Sequence, residues 1–299
     1  MTIESGNRGA MLRAAINERR GIVVPGAANA LAARIAEDVG FTILYVTGAG
    51  IANTSYGVPD LGLVTMTEVA DVVTAISDSC SAPLIVDADT GFGKPLNVIR
   101  TVRRLERAGA NAIQLEDQIF PKRCGHFAGK GVIPADSMVM KIKAAVDTRH
   151  SSDLLIIART DARAVEGLPA AIDRAHRYVE AGADVIFIEA PVSVEELRTV
   201  ATAVDVPQVA NMVIGGQTPL LPADELRDMG FALLLYANAA LQASIKAMQE
   251  VLGALHQHGS LDGVRDRLAS FESRQQTVRK ADWDRLDAKY GDAAGTKPV

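Results

Sequence analysis

The chain has 299 residues and a formal charge of −5, with 48% hydrophobic and 22% charged side chains. This composition predicts a large folded core and excludes a mainly disordered chain. The charges are spread along the sequence, so we expect no nucleic-acid partner. The N-terminus lacks the apolar core of a signal peptide, and the longest uncharged stretch, 230–245, is shorter than the ~18 apolar residues of a membrane span. We therefore expect a cytoplasmic protein with no membrane attachment, and the two cysteines offer no disulfide framework.

Four segments of the chain share one pattern: "EDVGFTILYV", "ERAGANAIQL", "VEAGADVIFI" and "RDMGFALLLY". In each, charged helix-forming residues precede a glycine (positions 40, 109, 182 and 230), and a short apolar run follows it. A glycine just past a helix supplies the left-handed conformation that ends it, and such an apolar run is typical of a strand buried on both faces. The repeat therefore predicts alternating helices and parallel strands.

Extending this pattern along the chain predicts eight buried strands, at 22–25, 42–47, 83–88, 111–116, 154–159, 184–189, 207–211 and 231–236. Eight strands alternating with helices over ~250 residues indicate the α/β class and a (β/α)8 TIM-type barrel. An open doubly wound sheet is the alternative, but no G-x-G-x-x-G motif follows a strand. We predict a barrel with an N-terminal helix at 1–257, a C-terminal helical extension at 258–290 and a disordered tail at 291–299.

Polar residues collect where the predicted strands end, in "YVTGAG", "VDADTGFG", "QLEDQ", "IARTDAR", "IEAP" and "VANM". In a barrel of this kind the chemistry lies at the carboxyl ends of the strands. Charges scattered over a surface would not gather at these positions. The pattern therefore supports the barrel and predicts its functional site together.

A metal site is predicted by the acidic residues of this group. Asp87 and Asp89 fall on one side of an alternating strand, with Glu116 at the end of the next strand. Oxygen ligands of this kind suit Mg²⁺ or Mn²⁺. Zinc is disfavoured, because no histidine lies nearby in the sequence. The alternative is a pair of helix-capping aspartates.

Arg159 ends the otherwise apolar strand "LLIIAR". Its guanidinium can bind a substrate carboxylate through two parallel hydrogen bonds. A structural ion pair with Glu189 or Asp161 is the alternative, and both interpretations can hold together. For Glu189 itself, direct binding and support of a neighbour remain equally open.

Cys124 lies in "QLEDQIFPKRCGHFAGK" among basic residues. Zinc is not indicated, because Cys-Gly-His alone does not supply four ligands. Cys80, at a predicted helix end, is no redox partner. A general acid on a mobile, basic lid over an anion is favoured narrowly over a nucleophile, and an idle surface cysteine stays an alternative. Lys122 and the glycines at 125, 129 and 131 give this segment its basic and flexible character.

The motifs "VDADTGFG", "LEDQ", "KRCGH", "IARTDA", "FIEAP" and "ANM", in order between about Val24 and Tyr236, resemble the isocitrate lyase/phosphoenolpyruvate mutase superfamily. Within it the chain resembles the small lyases acting on 2-methylisocitrate and 2,3-dimethylmalate, the oxaloacetate hydrolases, and carboxyphosphonoenolpyruvate phosphonomutase. The resemblance implies a Mg²⁺-dependent barrel, with Mn²⁺ as a substitute, that binds a small carboxylic acid. It also implies a homotetramer whose paired subunits exchange a helix beyond the barrel.

The resemblance further implies a role for each motif residue. Asp87 and Asp89 would hold the metal, with Glu116 acting largely through water. Tyr45 would be the base on the substrate hydroxyl and Cys124 the acid in a retro-aldol-type cleavage that yields a 2-oxo acid such as pyruvate and a carboxylate. The implied substrate pocket comprises the N–H groups of Thr47, Gly48 and Ala49, together with Asp60, Lys122, Gly125, His126, Arg159, Glu189 and Asn211.

Two positions depart from the methylisocitrate lyases. Thr47 stands where those enzymes commonly have serine, and Ile214 stands where many relatives carry glutamate. Loss of a carboxylate favours a smaller, more apolar 2-alkylmalate over a tricarboxylic acid, without excluding either. Phe187 is either a wall for an alkyl group or part of the barrel core.

Overall fold

The computed structural model describes residues 7–123, 125 and 129–291. They form two compact units, divided between Gln242 and Ala243. The first unit contains eight parallel strands in the order β6-β5-β4-β3-β2-β1-β8-β7. A parallel bridge between Ile186 and Gln208 brings β7 beside β6, so the sheet curls into a barrel. The strands are β1 Ile22–Ala27, β2 Leu44–Val46, β3 Leu84–Asp87, β4 Ala112–Glu116, β5 Leu155–Thr160, β6 Val185–Ile188, β7 Val209–Asn211 and β8 Leu233–Tyr236.

Helices follow the strands and pack around the sheet, which confirms the predicted TIM-type α/β class. In the first unit they are α1 Arg8–Asn17, α2 Ala30–Val39, α3 Gly48–Tyr56, α4 Met66–Ser79, α5 Pro95–Ala108, α6 Ala135–Thr148, α7 Ala162–Glu166, α8 Leu168–Glu180, α9 Val194–Ala201 and α10 Ala223–Met229. All eight predicted strands are present. The four repeat glycines have φ between 101° and 110°, the left-handed conformation that the pattern predicts.

The core has two apolar layers because side chains of a strand alternate between the two faces of the sheet. Val24, Ile85 and Ile157 belong to the cluster inside the barrel, and Val86 and Ile156 belong to the cluster between sheet and helices. Helix α1 adds Leu12 and Ile16 to the interior cluster. Its Arg13 donates to Asp184, just before β6, at 2.9 Å, which places α1 at the amino ends of the strands. The carboxyl ends of the strands, which α1 does not cover, are where the functional site is expected.

Helix α11, Ala239–His258, follows the last strand of the barrel and continues into the second unit. That unit also holds a 3₁₀ helix, Asp262–Arg267, followed by α12, Phe271–Thr277, and α13, Lys280–Tyr290. The predicted tail lies beyond them, and its residues 292–299 fall outside the described part of the chain. None of the helices described combines the length and apolar character that a membrane span requires.

Candidate active site

The carboxyl ends of the strands converge on one pocket. Most of the site residues predicted from the sequence line it, although they come from separate βα units. They are Tyr45, Thr47, Ala49, Asp60, Asp87, Glu116, Lys122, Gly125, Arg159, Glu189 and Asn211. Among the described residues of the prediction, Gly48 and Asp89 lie beside this lining rather than in it. Cys124 and His126 lie outside the described residues.

Helix α3 points its amino end at the pocket. Thr47 caps the helix, its hydroxyl accepting from the N–H of Gly50 at 3.2 Å. The N–H of Thr47 donates to the carbonyl of Ala27 at 3.3 Å, and its contact with a substrate stays a prediction. The N–H groups of Gly48 and Ala49 begin the helix, where no carbonyl of the same helix accepts them. They suit an anion.

Strand β3 ends at Asp87, and the backbone turns immediately after it. Asp89 has a positive φ of 48°, so the alternation that the sequence predicted does not extend to this residue. The turn instead brings the N–H of Asp89 to Asp87 Oδ1 at 3.1 Å. A β-carbon at Gly48 would lie 3.3 Å from Asp87 Oδ2 and 3.4 Å from Asp89 Oδ1, so both carboxylates lie beside the start of α3.

Lys122, in the segment predicted to form a mobile, basic lid, is 4% exposed. Its ammonium donates to Asp60 and lies 2.8 Å from Asp89 Oδ1. Burial opposes the charge, but Asp89, Glu116, Asp87 and Asp60 outweigh burial and raise the pKa of Lys122 well above its ordinary value. Lys122 is therefore a buried cation within a group of carboxylates.

Asp89 Oδ1 is paired with this ammonium at 2.8 Å. Glu116 Oε1, a second buried carboxylate oxygen nearby, has no hydrogen-bond donor among the described residues. Burial raises the pKa of Asp89 to about 6 and that of Glu116 well above its ordinary value. Buried oxygens that lack donors are suited to a hard cation.

The described residues contain no group of three acidic, histidine or cysteine side chains at metal-ligand spacing. Mg²⁺ needs only one or two protein carboxylates, because it keeps several waters. The donor set of Asp87, Asp89 and Glu116 therefore fits Mg²⁺, although these three side chains alone do not form a closed cage.

Tyr45 extends from β2 into the pocket and donates its hydroxyl proton to Gln114 Oε1 at 3.0 Å. Burial, followed by the charge of Asp87, raises its pKa well above the ordinary value. In this state Tyr45 holds its proton and acts as a hydrogen-bond donor. Its predicted role as a base needs a cation close by that lowers this pKa.

Arg159 at the end of β5 is fixed on several sides. Its Nε and Nη2 donate to the two oxygens of Asp161 at 3.0 and 3.1 Å, and its Nη1 lies 3.4 Å from Glu116 Oε2. Glu189 Oε2 lies 3.5 Å from Nε. The ion pairs that the sequence left as an alternative are therefore present. They also hold the guanidinium at the pocket wall, so a binding role remains compatible with them.

Glu189 follows β6 and accepts from Asn211 Nδ2 at 3.2 and 3.4 Å. Asn211 Oδ1 is buried without a hydrogen-bond partner among the described residues. The Phe187 ring lies 5.3 Å from the Arg159 guanidinium carbon and lines the pocket. Ile214 is 62% exposed and takes no part in the lining described, whereas Val213, Leu235 and Ala237 do.

Sequence reasoning missed several polar residues of the site, among them Arg123, which lines the pocket. Gln114 contacts Tyr45, Asn238 lies 3.3 Å from the Thr47 hydroxyl, and Lys130 binds Asp161 at 2.8 Å. Gln114 was detectable, because it lies two residues before Glu116 on the same strand face. No periodic pattern in the sequence marks Asn238 or Lys130. Only the fold places them at the site.

A family model described as phosphoenolpyruvate phosphomutase matches residues 12–256. The 2-methylisocitrate lyase of Aeropyrum pernix is 45% identical over 281 residues, covering 94% of this chain and 90% of that protein. The 2,3-dimethylmalate lyase of Eubacterium barkeri is 43% identical over 265 residues, covering 89% of this chain and 92% of that protein. The chain therefore belongs to the isocitrate lyase/phosphoenolpyruvate mutase superfamily, and these relatives place it among the carbon–carbon lyases.

Solved structures agree over nearly the whole chain. A crystal structure of 2,3-dimethylmalate lyase is 36% identical with a TM-score of 0.90, covering 98% of this chain and 99% of that one. Oxaloacetate acetylhydrolase with 3,3-difluorooxalacetate is 35% identical with a TM-score of 0.90, covering 96% and 98%. Phosphonopyruvate hydrolase, in a complex with oxalate and Mg²⁺, is 30% identical with a TM-score of 0.86, covering 95% and 99%.

Proposed function

We propose that the protein cleaves the C2–C3 bond of a 2-hydroxy di- or tricarboxylic acid of the 2-methylisocitrate or 2-alkylmalate type. The products are a 2-oxo acid such as pyruvate and a second carboxylate. The observation that carries the proposal is the convergence of Tyr45, Glu116, Arg159 and the start of α3 on one pocket. The relatives named as lyases supply the reaction class.

Mg²⁺ is the proposed cofactor, with Mn²⁺ as a substitute. Asp87 and Asp89 would hold it, and Glu116 would hold a water in its shell. Support comes from the buried Glu116 Oε1, which has no hydrogen-bond donor among the described residues, and from the Mg²⁺ complex of phosphonopyruvate hydrolase. When bound, the cation supplies charge stabilisation to the substrate's 2-hydroxyl oxygen and adjacent carboxylate.

The two carboxylates of a 2-alkylmalate find different partners in this pocket. The Gly48 and Ala49 N–H groups at the start of α3 suit one of them. Arg159 has N–H groups beyond those bound by Asp161 and suits the other. Asn211, with Glu189, borders the same space. Phe187, Val213 and Leu235 supply apolar surface for an alkyl group, which favours the smaller acid predicted from the sequence.

The proposed cleavage transfers two protons, one away from the 2-hydroxyl and one to C3. With a bound cation lowering its pKa, Tyr45 would first release its own proton to solvent. As the tyrosinate it then takes the proton of the 2-hydroxyl, and the oxygen's electron pair forms the C2 carbonyl. The C2–C3 bond breaks, and its electron pair moves to C3, where the attached carboxylate delocalises it. Cys124 then donates its thiol proton to C3. A positioned general acid of this kind is typically worth about 10²–10⁴-fold in rate.

We propose a homotetramer whose paired subunits exchange a helix. The support is α11, in which no residue is buried within the described chain. Its Ile245, Met248, Leu252 and Leu255 are 41 to 60% exposed and recur at heptad spacing, as in helices that pack on a partner. Sedimentation equilibrium should give a tetramer mass, and a monomer at micromolar concentration would contradict the assembly.

Oxaloacetate hydrolysis is the second candidate, favoured by the similarity in structure to oxaloacetate acetylhydrolase. Proton NMR of the purified protein with Mg²⁺ and a mixture of 2-methylisocitrate, 2,3-dimethylmalate and oxaloacetate separates the two. Pyruvate appearing with succinate or propionate would establish the lyase and identify its acid. Acetate and oxalate formed from oxaloacetate, faster than without enzyme, would establish the hydrolase instead. If all three acids persist, phosphorus NMR with phosphonopyruvate tests carbon–phosphorus chemistry.

A further inference from the structure

Gln114 is a buried amide between the pocket and the interior of the barrel. It is 1% exposed and lies opposite Asp87 in the register of β3 and β4. Its Oε1 accepts the hydroxyl proton of Tyr45 at 3.0 Å, and its Nε2 donates to Asp87 Oδ1 at 3.4 Å. One side chain thus joins the tyrosine of β2 to the carboxylate at the end of β3.

The carboxylate of Asp87 decides which way this amide faces. A carboxylate only accepts hydrogen bonds, so Nε2 of Gln114 must lie toward Asp87 and Oε1 toward Tyr45. Asp87 Oδ1 also accepts from the N–H of Asp89 at 3.1 Å, which holds the carboxylate in place. Reversing the amide would set two oxygens against each other in a buried site, and that arrangement is costly. The orientation of Gln114 is therefore fixed by its surroundings.

This orientation also fixes the hydroxyl of Tyr45. An amide oxygen can only accept, so the phenolic proton points at Gln114. Tyr45 lines the pocket, whereas Gln114 lines the apolar space inside the barrel, together with Ile85 and Leu233. The proton is thus turned away from the pocket, and the phenolic oxygen faces the pocket as an acceptor. Such an oxygen can bind a hydroxyl group of a ligand, but it has no proton to give to a carbonyl or a carboxylate.

We infer that Gln114 is a positioning residue, which directs the Tyr45 hydroxyl so that the pocket selects acids that carry a hydroxyl group over acids that lack one. In assigning that hydroxyl to C2 of the substrate, the inference rests on the proposed function. The selection itself is a property of binding and is measured on acids without following any cleavage.

Malate and succinate test the selection, because they are dicarboxylates of the same length that differ in one hydroxyl group. Isothermal titration of the full-length protein with Mg²⁺ gives the dissociation constant of each acid. The variants are Gln114→Met and Gln114→Leu, so that one folded variant suffices, together with Tyr45→Phe and the corresponding double variant. Gln208→Met is the matched control. Gln208 is also 1% exposed, but its amide has no hydrogen-bond partner among the described residues and lies outside the pocket lining described.

We expect malate to bind the wild type more tightly than succinate does. Loss of the Gln114 amide should weaken malate binding about 3- to 10-fold, the size of one hydrogen bond between uncharged groups, and leave succinate binding within about twofold. The double variant should bind malate no more weakly than Tyr45→Phe, because Gln114 acts through that hydroxyl. Gln208→Met should bind both acids as the wild type does.

Malate bound no more tightly than succinate by the wild type would overturn the inference. Unchanged malate affinity in the Gln114 variants, or equal weakening of both acids, would overturn it as well. A loss of malate affinity that persists in the Tyr45→Phe background would mean that Gln114 acts through Asp87 instead of the tyrosine. If the preference for malate depends on Gln114 but none of the candidate acids is cleaved, the proposed function fails and the role of Gln114 in selection stands.

Discussion

Arg159 and Asp161 form a two-point ion pair at the end of β5, with Nε and Nη2 donating at 3.0 and 3.1 Å to the two carboxylate oxygens. Because the aspartate takes one edge of the guanidinium, the other edge keeps a fixed direction toward Glu116 and the pocket. An arginine held in this way loses little side-chain entropy when a substrate carboxylate binds.

Arg159→Lys should therefore damage activity although it keeps the charge. Lysine is a point donor and cannot bind Asp161 and a carboxylate through a planar fork. We expect kcat/KM to fall at least 100-fold, on the scale of about 3 kcal/mol for a hydrogen bond to a charged group. Steady-state kinetics on the cleaved acid measure this. Arg163→Lys, which alters a comparable pair with Glu196, should stay within about threefold, and equal losses in both variants would contradict the role of Arg159.

Asp87→Asn should weaken Mn²⁺ binding about 10- to 100-fold or more, because a carboxylate ligand is lost. Isothermal titration with Mn²⁺ at pH 7.5 gives the dissociation constant directly. The control is Asp71→Asn, an exposed aspartate that pairs with Arg104 on the surface. Unchanged Mn²⁺ affinity in Asp87→Asn would place the metal elsewhere.

Mn²⁺ affinity should also depend on pH. Burial raises the pKa of Asp89 to about 6 in the metal-free protein. Only the ionised carboxylate binds the cation, so protons compete with the metal below that pH. We expect the affinity to be steady from pH 7 to 8 and to fall by up to about tenfold per unit below pH 6. Titrations between pH 5 and 8 test this, and a flat profile that persists down to pH 5 would exclude Asp89 as a ligand.

Cys124→Ser should abolish cleavage, with a loss of about 10²–10⁴-fold, and leave Mn²⁺ affinity unchanged. A hydroxyl gives up its proton far less readily than a thiol. Cys80→Ser is the control, because Cys80 is buried beside α4 and burial raises its pKa to about 11. Product formation by NMR decides the matter, and turnover retained in Cys124→Ser would remove the acid role.

Tyr178→Phe should lower stability. The Tyr178 hydroxyl donates to buried Asp117 at 2.8 Å, and burial raises the pKa of that carboxyl above its ordinary value. Removing a donor from a buried acceptor costs about 1–3 kcal/mol. Thermal unfolding should show a melting temperature a few degrees lower, while Tyr290→Phe, at an exposed site, should melt like the wild type. Asp117 Oδ2 also accepts from Arg174 Nη1 at 3.3 Å and from the Thr160 hydroxyl at 2.7 Å. Equal melting temperatures would mean that these two donors satisfy the carboxylate without Tyr178.

The barrel was predictable because it repeats a local signal. A glycine such as Gly109 ends its helix by a backbone preference that needs no distant contact, and the apolar run behind it is buried whichever strand lies alongside. The strand ends then predicted most of the pocket, since parallel strands bring their carboxyl ends to one side. This is why Asp87, Glu116 and Arg159, which come from different strands, could be assigned to one site, whereas Tyr45 was added by the family resemblance.

The ion pairs of Lys122 and Lys130 were not predictable in the same way. Lys122 belongs to a segment whose composition is typical of an exposed loop, yet its ammonium is buried against Asp60 and Asp89. Asp89 leaves the strand through a positive φ that no periodicity reports. Lys130 reaches Asp161 across 31 residues of sequence. Such contacts depend on how loops from different βα units meet, which a single sequence does not encode locally.

The central claim is that the enzyme breaks a C–C bond to leave a carbanion that is protonated at C3. Proton and carbon NMR of the wild type with Mg²⁺ in D₂O, supplied separately with 2,3-dimethylmalate and 2-methylisocitrate, test it most directly, because the thiol exchanges its proton with solvent between turnovers. The account predicts equal amounts of pyruvate and a co-product, propionate or succinate. The co-product carries one deuterium on the carbon that was C3 of the substrate. Pyruvate formed with a co-product free of deuterium, or loss of either acid without pyruvate, would contradict it.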